Sequence, residues 1–250
     1  MMAGETAKCE ALCLAIHPWS RTSHIVAWLT PKGPLKTVVK GAVRPKSAFL
    51  GQYDLNYTCE IVYYLRERGT LHALRECTPG KLREKLRGSY RSLILAGYVR
   101  FLLGELAAAG DESGEWFRLA EETLDKLENA GSSEALLEIM LRFDFAAMQL
   151  AGIIPDFSGY DRDSEWSLFS PQAGIYGEGG SARKIRIPLE TAGWLDNPRK
   201  KAANIQILLD AARVIGVFYQ FHLDCAVETR REVLKLILHN ENEKVENNEH

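Results

Sequence analysis

Between Ala11 and Tyr53 this 250-residue chain contains no aspartate and no glutamate. The window holds six cations, Arg21, Lys32, Lys36, Lys40, Arg44 and Lys46. It therefore carries +6, whereas the whole chain is −2 and the remainder carries −8. Such asymmetry fits either a surface for a polyanion or an ordinary solvated face. Other absences narrow the chemistry. There is no G-x-x-x-x-G-K-[ST] phosphate loop, no H-E-x-x-H and no G-x-S-x-G, so no motif speaks for an ATPase, a zinc protease or an α/β-hydrolase. The glycine-rich run Gly174–Arg183 lacks the loop lysine and a strand-to-helix setting, and reads as a flexible loop. The six histidines are scattered without metal-ligand spacing. The five cysteines, Cys9, Cys13, Cys59, Cys77 and Cys225, are odd in number and form no C-x-x-C pair. That suggests neither a disulfide framework nor a four-thiolate zinc site. Cys9 and Cys13 have even spacing, so on a strand they face the same way; they read as small buried apolar residues in a reducing compartment. Long apolar runs are missing too. The most apolar stretch, Ser92–Gly110, is interrupted by Arg100 and Glu105, which indicates a core helix in water. The first residues carry acid where a signal peptide would be basic. These features predict a cytoplasmic protein without a membrane segment.

What is present divides by periodicity. Lys8–His17, Thr22–Thr30, Pro34–Gly41, Asn56–Leu65 and Thr70–Cys77 are β-prone runs separated by turn-forming clusters. Five short strands in a small basic domain fit a compact barrel such as the OB-fold, whose strand face and loops often bind single strands. From Lys81 the period becomes helical, through Leu82, Leu86, Tyr90, Leu93 and Ile94. Further helices are expected over about 114–128, 133–150, 202–223 and 228–238, the second framed by Ser132 and Ser133 before it and Gly152 with Pro155 after it. The fold class is therefore α+β: a barrel domain over 1–79, then a helical domain over 80–240 with an irregular segment at about 152–198. A polar tail over 241–250 is expected to be disordered.

The basic residues carry the functional reading. A protein that neutralises phosphates releases condensed counterions and gains sequence-independent affinity. Aromatic residues near the acid-free window are Trp19, Trp28, Phe49 and Tyr53. Trp28 and Phe49 suit a core, whereas Trp19, in a turn, is the better platform for stacking a base. A second set, Arg83, Arg87 and Arg91, has i, i+4, i+8 spacing and is expected on one helix face near its N-terminus. There positive charge opposes the helix dipole, which favours an external anion. Arg199-Lys200-Lys201 is expected to open a later helix and raises the same question.

Several stretches together resemble the bacterial DNA repair protein family RecO over nearly the full length. They are "HPWSRTSHIVAWLTPKG" (17–33), "VVKGAVRPKSAFLGQ" (38–52) and "GTLHALRE" (69–76), then "LRFDFAAMQLAGIIPDF" (141–157) and "FSPQAG" (169–174). The resemblance implies an N-terminal OB-fold, a helical domain and a recombination mediator with no catalytic step and no cofactor, acting in the cytoplasm at the nucleoid. Such a protein binds single- and double-stranded DNA and anneals complementary strands. It works with RecR and with single-strand-binding protein to load a recombinase. Lys40, Arg44 and Lys46 match the family's K-G-A-x-R block and are expected at phosphates. An acidic, apolar C-terminal tail of single-strand-binding protein would need a hydrophobic groove beside a cation. Arg100 and Arg142 are the residues considered for it, each equally an internal ion-pair partner of Glu105 or Asp144. The sequence also departs from the family. Many members carry four cysteines as a zinc site around the F-S-P-E-A-G stretch, but no cysteine lies between Cys77 and Cys225 here. Asp161 and Asp163 are poor substitutes, and packing through Trp166, Phe169 and Trp194 is expected to hold the segment instead. The competing reading is a protein-interaction adaptor with a vestigial barrel and little DNA binding. A nuclease or ATPase is disfavoured, since neither a carboxylate–metal constellation nor a nucleotide loop is found.

Overall fold

The computed structural model describes residues 5–66, 71–107, 113–177 and 184–238. The chain forms two compact units, Met1–Asn129 and Ala130–His250. The expected tail over 241–250 and residues 178–183 of the glycine-rich run lie outside the described residues.

The first unit is built on five strands: β1 (Thr6–Ser20), β2 (Ser23–Thr30), β3 (Gly33–Val39), β4 (Thr58–Tyr64) and β5 (Leu71–Lys81). They close into a barrel in the order β1-β2-β3-β5-β4. Closure rests on two features. The long β1 pairs with β4 through its first half and with β2 through its second. Strand β3 then pairs in parallel with β5, Lys36 opposite Leu71 and Val38 opposite Ala73. A barrel interior takes alternate side chains, and Ala11, Cys13, Val26, Trp28, Val39, Cys59, Ile61 and Cys77 fill it. Trp28 donates its indole N–H to Thr37 Oγ1 at 2.9 Å, so the largest interior side chain leaves no polar atom unpaired. Leu12 and Leu14 alternate with Ala11 and Cys13 yet are also buried, because helix α1 (Tyr90–Leu106) packs on β1 from outside. Burial pushes the Cys13 thiol well above its ordinary range. It is an inert core group.

Where the sequence predicts a helix from Lys81, the chain instead makes a 3-10 turn over Glu84–Gly88, and α1 starts only at Tyr90. Two local reasons account for this. Arg83 sits in the left-handed region at φ 50°, which interrupts a right-handed helix. Ser89 then caps α1, accepting the Ser92 N–H at 3.3 Å. Helix α2 (Ser113–Glu128) completes this unit against β2 and β3.

The second unit holds α3 (Ser133–Leu150), α4 (Leu189–Asp196), α5 (Ile205–His222) and α6 (Asp224–Leu238). Ser132 caps α3 by accepting the Ala135 N–H at 3.1 Å, and Gly152, at φ 69°, follows its end as glycine commonly does. The segment expected to be irregular contains a three-stranded antiparallel sheet, β7-β6-β8, from β6 (Trp166–Ser170), β7 (Ile175–Tyr176) and β8 (Ile185–Pro188). These strands are too short to register as alternation in the sequence. Arg199-Lys200-Lys201 precedes Asn204, the cap of α5, and lies outside any helix. A buried ion pair lies in this unit. Arg230 Nε donates to Asp144 Oδ2 at 2.9 Å and Nη1 to the Ala212 carbonyl at 3.1 Å.

Candidate nucleic-acid interface

All six cations of the acid-free window are exposed. None forms an ion pair with a carboxylate among the described residues, whereas Lys8, Arg75, Lys81, Arg83 and Arg87 all do. The topology sets their arrangement. Lys32 is in the β2–β3 turn, Lys36 stands mid-strand opposite Ala27, and Lys40 follows the end of β3. Leu35 packs toward the interior and Thr37 is buried, so Lys36 points outward. At about 3.3 Å per residue, the stretch from Lys32 to Lys40 along β3 spans about 26 Å. At the Lys40 end the β1–β2 turn contributes Arg21, and the loop after β3 contributes Arg44 and Lys46. Four of the six thus gather at one end of the barrel, Lys36 lies on the way and Lys32 marks the far end.

That end holds an open cleft of about 500 Å³ lined by Trp19, Ser20, Thr22, Ser23, Val38, Lys40, Gly41 and Arg44. The loop is bonded to the hairpin: Gly41 N–H donates to Ser23 Oγ at 3.2 Å, and Val43 N–H to the Thr22 carbonyl at 3.3 Å. Successive turns shape it, with Arg44 N–H donating to the Gly41 carbonyl at 3.1 Å and Ser47 N–H to the Arg44 carbonyl at 2.9 Å. Gly41 adopts φ +67°, and a Cβ there would stand 3.2 Å from Arg44 Cδ. Glycine therefore lets the arginine fold back over the Gly41 backbone. Further along, Tyr53 closes the loop on the barrel through a 2.8 Å bond between its hydroxyl and His24 Nδ1. The K-G-A stretch was the available signal for this turn, but only the backbone conformation explains why glycine stands beside the cations.

The other sequence-predicted cations behave differently. Arg83, Arg87 and Arg91 do not share a helix face, because Arg83 and Arg87 precede α1. Arg83 is buried, its side chain 1% exposed. It donates through Nη1 to the Asn56 carbonyl at 2.7 Å and to Thr58 Oγ1 at 3.0 Å, and through Nε to Asp125 Oδ1 at 2.8 Å. Its Nη2 stands 2.8 Å from Glu121 Oε1 as an ion pair, without hydrogen-bond alignment. Lys81 bridges the same two carboxylates at 2.9 and 2.8 Å, and the Thr58 hydroxyl bonds Glu121. Burial alone would raise the Asp125 pKa, but the bonds from Lys81 and Arg83 outweigh it and hold the group below the usual carboxylate range. The expectation of an external anion at Arg83 is thereby corrected: stability does place this charge, as a clamp between the barrel and α2. Arg87 pairs with Asp54 at 2.7 Å and lies over the Tyr57 ring at 5.6 Å. Arg91, in the first turn of α1, is half-buried.

Of the two residues considered for a partner's acidic tail, Arg100 belongs to α1 and donates Nη1 to the Leu14 carbonyl at 2.8 Å. Burial lowers its pKa, and it is unsuited to a surface anion. Arg142 pairs with Glu138 at 2.5 Å, not with Asp144, and keeps 37% of its side chain exposed. It also donates to the carbonyls of Arg199 and Lys200 at 3.3 and 3.4 Å.

The family model described as "Recombination protein O N terminal" matches residues 2–83, the barrel. DNA repair protein RecO of Rhodopirellula baltica is 30% identical over 209 residues, which cover 79% of this chain and 75% of that protein. The chain belongs to the RecO family. DNA repair protein RecO of Idiomarina loihiensis is 29% identical over 172 residues, 65% of this chain and 71% of that relative.

The four-cysteine zinc site associated with the RecO family does not fit these residues. No group of three or more His, Cys, Asp or Glu able to hold a metal occurs among the described residues. Asp161 Oδ1 instead accepts the Asp163 N–H at 3.0 Å, a local turn. Aromatic packing occupies the segment, with Phe157 stacked on Phe169 at 5.0 Å, Phe145 5.5 Å from Phe157, and Trp194 edge-on to Phe145 at 5.9 Å. Trp166 is not part of that core. It is 44% exposed, with the Arg186 guanidinium 5.2 Å from its ring centroid. Among the described residues no helix is long and apolar enough to cross a membrane.

Proposed function

We propose that the chain is a recombination mediator of DNA repair that binds single- and double-stranded DNA through its barrel, anneals complementary strands and helps load a recombinase on DNA coated by single-strand-binding protein. The observation that carries this reading is the set of six exposed cations on an acid-free stretch of the barrel, without carboxylate partners among the described residues. Family membership supports it, because both relatives are named DNA repair proteins. Annealing requires two polyanions side by side. A basic surface gains affinity for both strands through counterion release, offsets their repulsion with its own charge, and makes or breaks no bond. The reading assigns RecR and the acidic, apolar tail of single-strand-binding protein as partners. For that tail, Arg142 stands near a pocket of about 390 Å³ in which Phe145, Ile154, Pro155, Phe157 and Pro198 join Arg199, with the acidic Asp196 also in its lining.

The test is the pairing rate of complementary labelled oligonucleotides, with and without the protein, together with equilibrium binding at several salt concentrations. Contact with all six cations sets an upper limit of about −4 on the log–log salt slope for single strands. Accelerated pairing and a clearly negative slope are expected. Absence of binding at low salt would favour the adaptor reading instead.

A further inference from the structure

We infer that Trp19 and its cleft form a base-stacking subsite that makes the barrel prefer unpaired strands over duplex. This rests on the proposed DNA-binding role of the barrel and adds a selectivity element to it. Trp19 is 63% exposed at the end of β1, and it lines the cleft that also holds two of the six cations. Three of the other four tryptophans, Trp28, Trp116 and Trp194, are buried. Its surroundings are polar. Lys40, Arg44, Ser20, Thr22 and Ser23 line the same cleft. The Ser23 hydroxyl accepts the Gly41 N–H, so its own hydrogen remains available for a further acceptor. The Arg44 guanidinium is held over Gly41, on the loop that the Gly41 and Val43 amides tie to the hairpin.

An aromatic face with cations beside it and hydroxyls around it matches one nucleotide of a single strand. The base covers the indole, the flanking phosphates meet Lys40 and Arg44, and base edges or sugar oxygens meet the hydroxyls. In a duplex the bases already stack on one another, so their faces are not offered to the ring and only phosphates, sugars and groove edges are. Stacking on an aromatic residue is tolerant of sequence, since every base has a π face. The cleft therefore distinguishes unpaired from paired strands without reading sequence. For a strand-pairing protein this gives a direction: the ring holds unpaired bases, loses them once they pair, and the product binds through phosphates alone.

The experiment measures affinities of the full chain for labelled oligo(dT) and for a blunt duplex of similar charge, in Trp19→Ala, Trp19→Phe and unaltered protein. Trp19→Ala is expected to weaken oligo(dT) binding by roughly 5- to 150-fold, the range for loss of one base–aromatic stack. Duplex affinity and both salt slopes should stay within about twofold. Trp19→Phe, which keeps a ring, should restore most of the loss. Equal weakening for both probes, or no weakening of oligo(dT), overturns the inference. Failure of the underlying reading is a separate result, in which the unaltered protein binds neither probe. The side chain is exposed, so both variants should keep the melting temperature of the unaltered protein, and a fall of several degrees with parallel losses for both probes also counts against it.

Discussion

Replacing Arg83 with alanine is expected to destabilise the barrel unit by about 3 kcal/mol while leaving DNA affinity unchanged. The magnitude follows from what the guanidinium touches. It is 1% exposed and faces Glu121, itself 13% exposed, together with Asp125, the Asn56 carbonyl and Thr58. Removing one partner of a buried ion pair costs about 3–5 kcal/mol, because the other is left uncompensated. Lys81 still bridges both carboxylates after the change, which places the cost at the lower end. At about 2–4 °C per kcal/mol, the melting temperature should fall by about 6–12 °C. A double change, Arg83→Met with Glu121→Leu, removes both charges and should recover at least half of that loss, since apolar replacement of a whole buried pair is often neutral. Thermal unfolding followed by circular dichroism gives the stability, and oligonucleotide anisotropy gives the affinity. An unchanged melting temperature with a tenfold loss of DNA affinity would refute the clamp and return Arg83 to the binding surface.

The same clamp has a pH signature. Asp125 is held below the usual carboxylate range once bonds from Lys81 and Arg83 outweigh its burial. Its contribution is therefore complete above the unfolded pKa of about 3.9 and disappears as pH falls through the folded value. Asp125→Asn should lower stability at pH 6 and converge with the unaltered protein in strong acid, as urea midpoints across pH would record. Gly41→Ala, at φ +67° with Arg44 Cδ 3.2 Å from the new methyl, should cost about 1–2 kcal/mol for the left-handed backbone. It should also weaken binding of both single strands and duplex by moving Arg44, measured by the same anisotropy titration. Thiol labelling of the native protein should find Cys225, which is exposed, reacting in the fast phase. Cys13, Cys59 and Cys77, buried in the barrel, should react only on unfolding.

The barrel was legible in the sequence because its strands are β-prone runs with turn-forming clusters between them. Closure was not, since the parallel β3–β5 pairing joins residues separated by a loop and the whole of β4 and leaves no local pattern. The helix predicted from Lys81 failed for an instructive reason. Leu82, Leu86 and Tyr90 have helical spacing, but Arg83 takes a left-handed conformation to reach Glu121 and Asp125, and that tertiary bond overrides the local period. The stripe of arginines inferred from the same spacing dissolved with it. Across 152–198, strands of five, two and four residues are shorter than a periodicity window, so order looked like irregularity. Of the three aromatic residues expected to hold that segment, Phe169 and Trp194 are buried and Trp166 is not; identity alone does not reveal which face of a short strand a ring occupies. The acid-free window translated directly, because cations with no acids nearby in the chain also found none across space among the described residues.

The central claim is that the lysines and arginines at the Lys40 end of the barrel meet phosphates. The most direct measurement is the salt dependence of oligonucleotide binding by the Lys40→Ala, Arg44→Ala, Lys46→Ala triple variant beside the unaltered protein. Loss of three phosphate contacts should reduce the steepness of the log–log slope on single strands by about 2 and weaken binding regardless of sequence. An unchanged slope and affinity in a variant that melts normally would contradict the account.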